Sequence, residues 1–145
     1  MEINFKKVHT VKDLAISTLV LLAGIGLFFV NKGLGITIAV CGLAMFLLYK
    51  GGYKKDGKGI VLQKKSEDLC KACKQSIVDY LNGKDITPQI KKGNECGSVR
   101  LDVYYNADAG IAYAQLFDFR NYTYEPETEV IEIHSPRADK LISQL

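Results

Sequence analysis

Charge is missing from most of the first third of the chain. Leu14 to Val30 contains no acidic or basic residue, and neither does Leu34 to Tyr49. Ahead of Tyr49, the polar side chains within these runs are Ser17, Thr18, Thr37 and the weakly polar Cys41. A helix packed in a water-soluble bundle shows polar residues every few positions on its outer face. The lack of them excludes a soluble bundle as the natural reading, and the few hydroxyls present can bond back to their own helix. Also missing is a small-x-small cleavage site ahead of a polar mature domain. A second apolar run follows the first at once, which argues against a cleaved signal peptide despite the basic start at Lys6 and Lys7.

Catalytic signatures are lacking as well. The chain has no nucleophile elbow, no phosphate-cradling glycine loop and no dinucleotide fingerprint. No glycine-anchored calcium loop appears, and there is neither a second C-x2-C pair nor an H-x3-H pair to complete a zinc site. These absences make an enzyme the less natural reading, and no cofactor is implied.

What is present is a pair of apolar runs, 14–30 and 34–49, separated by Asn31-Lys32-Gly33. Each spans about 25 Å as a helix, slightly less than the hydrocarbon core of a bilayer. Lys12 and Lys50 flank the pair and can snorkel to the headgroups. One continuous helix would hold the Lys32 ammonium mid-span, an expensive place for it, so the gap reads as a tight turn. The expectation is a two-helix transmembrane hairpin over 14–49, entered from an N-terminal segment 1–13. Lys6, Lys7 and Lys12 precede it, and Lys50, Lys54, Lys55, Lys58, Lys64 and Lys65 follow it, whereas the turn holds only Lys32. By the positive-inside rule both termini face the cytoplasm, making the chain a multi-pass protein of the cell inner membrane. Some of the later lysines are expected to rest against anionic lipid. Gly24, Gly35, Ala39 and Gly42 offer small surfaces for close helix packing, the last three on one stripe, within the hairpin or between subunits.

Residues 50–58 read as a basic, glycine-rich flexible linker, and 59–145 as a small cytoplasmic domain. Ile60-Val61-Leu62 reads as a short strand. Ser66 reads as a helix cap ahead of Leu69, Cys73, Ile77 and Tyr80, which recur at helical spacing as far as Asn82-Gly83. Lys84 to Gly97 reads as a loop. Val99 to Tyr105, Ile111 to Phe119 and Glu129 to His134 alternate as strands, and Ser135-Pro136 opens a terminal helix. The fold class is α+β: a mainly antiparallel sheet of three or four strands with two helices packed on it.

Three features are candidates for chemistry. Cys70 and Cys73 form a C-x2-C pair to which Cys96 and His134 could add metal ligands, although both cysteines fall on a predicted helix and small buried thiols are the plainer account. Tyr104, Tyr113, Tyr122 and Tyr124, with Arg100 and Arg120, offer stacking surfaces and cations for a nucleotide or a partner. From Leu101 onward acidic residues outnumber basic ones, so a nucleic acid duplex is not an expected partner. Glu125, Glu127, Glu129 and Glu132 form an acidic run that serves equally well as a charged guard for a strand edge. The expected function is an integral membrane protein, its partners the lipid bilayer and another protein or a second copy of itself, with a cytoplasmic domain that binds a partner or ligand. One alternative is a homo-oligomeric membrane effector sensing a small signalling molecule such as a nucleotide. A second is a zinc or redox protein.

Overall fold

The computed structural model describes residues 3–91 and 97–145. These form two compact units, one of Asn4–Val61 and the other comprising chiefly Leu62–Leu145. The protein is α+β, with four helices and mainly antiparallel sheet among the described residues.

The first unit runs β1 (Phe5–Val8), α1 (Val11–Phe28), α2 (Lys32–Leu48) and β2 (Gly52–Lys55). Thr10 starts α1 with a reciprocal cap: its Oγ1 accepts from the Asp13 amide at 3.1 Å, while the Asp13 carboxylate accepts from the Thr10 amide at 2.9 Å. The turn between the helices lies at Phe29-Val30-Asn31 rather than Asn31-Lys32-Gly33. Asn31 is the α2 cap, its side-chain oxygen accepting from the Leu34 amide at 3.2 Å, so Lys32 and Gly33 are already helical. The segment expected to be a flexible linker holds β2 instead. It pairs antiparallel with β1, Lys6 opposite Lys54 and Val8 opposite Gly52. Two further bonds close the base of this hairpin: Gly51 N–H donates to the Asp13 carboxylate at 2.8 Å, and His9 Nδ1 meets the Tyr49 carbonyl at 2.8 Å.

The helices pack through small residues. A Cβ built on Gly42 would come within 2.6 Å of the Leu21 amide, and one on Gly24 or Gly35 would collide with the backbone of Ala39 or Phe28. The buried positions of the two helices are Asp13, Ser17, Gly24, Gly35 and Gly42, while Leu19, Leu22, Val40 and Leu47 stand outward. By length and composition α1 is able to cross a membrane; α2 is apolar but shorter. Among the described residues one helix, not two, meets that measure.

The second unit contains β3 (Gln63–Cys70), a 3-10 turn (Lys71–Cys73), α3 (Lys74–Leu81), β4 (Gly97–Asn106), β5 (Ile111–Arg120), β6 (Thr123–Pro126), β7 (Ile131–His134) and α4 (Arg137–Gln144). The sheet order is β3-β4-β5, and β6 and β7 share the far edge of β5, β6 along its end and β7 along its start. Thr128 sits at the break between those two short strands, its hydroxyl accepting from the Leu116 amide at 3.1 Å. Alternation sends Val99, Leu101, Val103, Ala112, Ala114, Leu116 and Ile133 into one core with Ile77, Tyr80, Leu81, Ala138 and Leu141 from the helices.

Among the described residues the sheet has five strands rather than the expected three or four. Ile60-Val61-Leu62 precedes β3 instead of forming a strand of its own, and two expectations about helices also change. Ser66 does not cap a helix, because Gln63–Cys70 is the edge strand of the sheet and the α-helix begins at Lys74. The Ser66 hydroxyl donates instead to the Asp102 carboxylate on β4 at 2.8 Å. Leu69 is the last inward residue of that strand, and the 3-10 turn carries the chain on over the same core. The helical spacing of Leu69, Cys73 and Ile77 therefore records a shared burial side rather than one continuous helix. Second, α4 starts at Arg137, with no side-chain cap from the Ser135-Pro136 segment.

Candidate functional site

The outer face of the second unit's sheet gathers four of the six tyrosines and arginines singled out in the sequence, Arg100, Tyr104, Tyr113 and Tyr124. Arg100, Asp102 and Tyr104 of β4 lie opposite Phe117, Gln115 and Tyr113 of β5, and Tyr124 of β6 lies opposite Phe119. The Arg100 guanidinium sits 4.8 Å from the Phe117 ring centre and 4.7 Å from that of Tyr124. Both rings are thus already engaged by this cation. Its Nε also lies 3.1 Å from Asp102 Oδ1. Asp102 is buried and collects Lys64 at 3.4 Å as well as the Ser66 hydroxyl. Burial alone would push the Lys64 ammonium down, but the Asp102 carboxylate and its neighbours hold it above its ordinary value. Burial and the Asp68 carboxylate, which accepts the Tyr124 hydroxyl at 3.2 Å, raise the Tyr124 phenol.

Arg120 is not part of this face. It follows Asp118 by two residues and so points to the helix side, where a four-membered charge network forms. Asp118 Oδ2 accepts from Lys74 Nζ at 2.9 Å and from Arg120 Nε and Nη2 at 3.1 and 3.0 Å. Glu127 bonds the same two cations at 2.9 and 2.7 Å. The Lys74 ammonium, chiefly through its hydrogen bond, holds the Asp118 carboxyl below its ordinary value. Glu127 and then Asp118 hold Lys74 above its own. Arg137 is also engaged, stacked 4.6 Å from the Tyr80 ring centre and donating to the Tyr80 carbonyl, while the Tyr80 hydroxyl donates to the Arg137 carbonyl at 2.6 Å. All three arginines are thus held by internal partners.

The remaining candidates are scattered. Tyr122 stands in the β5–β6 turn, 95% exposed. Cys73 is buried in the core, and Cys70 lies at the end of β3 rather than on a helix. Cys70 pairs with Gly97 at the start of β4, while His134 pairs with Ile111, opposite the end of that strand. Along the 10 residues of β4 this separates the two by roughly 30 Å. His134 lies 3.0 Å from Glu132. Cys96 lies outside the described residues, among which no three His, Cys, Asp or Glu side chains converge to hold a metal ion.

Asp118 and Lys74 had no place among the sequence candidates, and Glu127 entered there only as one of the acidic run. Their signal was parity: Asp118 follows Ala112, Ala114 and Leu116 on the inward side of an alternating strand, where a carboxylate must find cations. Comparison with models of known families, with characterised proteins and with solved structures finds no match for this chain.

Proposed function

We propose that the chain is an integral membrane protein whose α1–α2 hairpin is embedded in lipid and whose α+β unit works as a binding module on the cytoplasmic side. The observation that carries the reading is the inverted polarity of the hairpin. Its interior is made of Asp13, Ser17 and glycines, while Leu19, Leu22, Val40 and Leu47 are 59–69% exposed. Water as solvent would drive the opposite arrangement. In lipid, where apolar side chains gain nothing by facing inward, small residues at the helix contact and large ones outside are the expected order.

The β1–β2 pairing supports a single sidedness, since it holds the entry and exit of the hairpin together at one end. That end carries Lys6, Lys7, Lys12, Lys50, Lys54 and Lys55, against Lys32 at the turn, and by the positive-inside rule it faces the cytoplasm. Of the two helices, α2 is the shorter; a helix of this length is accommodated by local thinning or snorkelling at modest cost.

The engaged arginines favour a protein partner over a nucleotide for the α+β unit. Tethering would confine that unit to the membrane plane and raise its effective concentration toward membrane neighbours. Membranes from cells making the full chain, washed with alkaline carbonate, should retain it in the pellet, and mild-detergent purification should recover a stoichiometric protein partner. Release into the supernatant would overturn the membrane assignment. Retention of a chain that is monomeric and partner-free in detergent would overturn the binding role.

A further inference from the structure

We infer that the β1–β2 ribbon is an anionic-lipid headgroup site, a deepening that rests on the membrane reading above. In the α+β unit Lys64 pairs with Asp102, Lys74 with Asp118 and Glu127, and Lys84 with Asp79, while Lys65, Lys71, Lys91 and Lys140 enter no ion pair among the described residues. The ribbon and its flanks concentrate such lysines in two short stretches of chain. Among the described residues no ion pair involves Lys6, Lys7, Lys12, Lys50 or Lys54.

The unit's carboxylates are already committed to the backbone, Asp13 to Thr10 and Gly51, Asp56 to the Asn4 amide at 3.2 Å. Lys6 stands directly across from Lys54, a like-charge pair that costs stability in a two-stranded sheet unless an anion lies between or above it.

Position selects the anion. Val8 leads through the Thr10 cap into α1, Leu48 leads through Gly51 into β2, and the Asp13–Gly51 and His9–Tyr49 bonds fasten strands to helices. With the apolar hairpin in lipid, the ribbon lies at the level of the phosphates. Phosphodiester headgroups bearing net negative charge are therefore the occupants that meet both the lysines and the adjoining apolar helices. A nucleic acid would meet the lysines alone.

The chain contains no tryptophan, so Tyr53→Trp, placed opposite Lys7 in the ribbon, gives a single fluorophore in the full-length protein. Quenching of that fluorophore is compared in vesicles of brominated phosphatidylglycerol diluted with phosphatidylcholine and in vesicles with the bromine on the zwitterionic lipid. Flotation is run on both. The expected result is flotation with either lipid and a preference of roughly fivefold or more for the anionic lipid at the ribbon. This preference should fall toward unity in Lys6→Gln/Lys7→Gln/Lys54→Gln and at high salt, while Phe29→Trp at the turn, in an otherwise unchanged chain, shows none. Flotation without preference overturns the headgroup site and leaves the membrane reading standing; failure to float overturns the membrane reading itself. Preference retained in the triple variant, or abolished by a short DNA duplex, also overturns the site. If the triple variant loses helical circular dichroism, Lys54→Gln alone must reduce the preference.

Discussion

At the scale of single residues, Arg100 is held by what surrounds it, the Phe117 and Tyr124 rings and the Asp102 carboxylate. Arg100 was a candidate because cations beside aromatics bind stacked ligands, and the aromatics are indeed there, but they are spent on the guanidinium itself. A side chain's type and its neighbours along a strand are visible in sequence; whether the neighbours across the strand leave it free is not. Asp118 is the converse case, an unremarked carboxylate that the register forces inward beside Lys74 and Arg120. Asp118→Asn keeps the shape and loses the charge-assisted bonds, so we expect a loss of about 2 kcal/mol in unfolding free energy at neutral pH. The pH dependence has a definite sign. Because the folded carboxyl titrates below its ordinary 3.8, its contribution is complete above that value and is lost as pH falls through the depressed one. Because Lys74 is raised above its ordinary 10.5, its contribution is complete below that value and is lost as pH rises through the raised one. Urea titrations followed by tyrosine circular dichroism should show both limbs in the natural protein and a flattened acid limb in Asp118→Asn.

Among elements, periodicity served wherever one face alone was buried. The alternation of Val99 to Tyr105 marked β4, whereas α1 and α2 were marked by missing charge and not by periodicity. It failed where an inward strand residue was followed by a turn onto the same core, as at Leu69 to Cys73, because i, i+4 spacing then arises without a helix. It failed again at β2, where glycines and lysines spell a linker and only pairing with a distant β1 makes a strand. The helix pair invites a matched test. Gly42 faces the Leu21 backbone, so Gly42→Leu forces the helices apart, whereas nothing lies within 4 Å of a Cβ at Gly26. In detergent, Gly42→Leu should lower resistance of helical structure to a denaturing surfactant by about 1–3 kcal/mol. Gly26→Leu should leave it unchanged or slightly raised, since glycine is the poorer helix former. Equal effects from both would mean that the hairpin contact is not the one described.

For the whole molecule, the two units show opposite patterns of polarity. The α+β unit buries leucine, isoleucine and valine and pairs its buried carboxylates with cations; the hairpin buries glycine and serine and turns its large apolar residues outward. The proposed membrane reading accounts for both patterns in one chain, with water organising one part and lipid the other. Cys41, exposed near the middle of α2, tests this directly. In a full-length variant with Cys70→Ser, Cys73→Ala and Cys96→Ser it is the remaining thiol. A membrane-impermeant reagent does not enter hydrocarbon and so does not reach a thiol there. Reconstituted in vesicles, Cys41 should stay unmodified by a membrane-impermeant maleimide added to both sides and become modified once detergent and denaturant strip the lipid. Modification in intact vesicles at the rate of a water-exposed thiol would contradict the account.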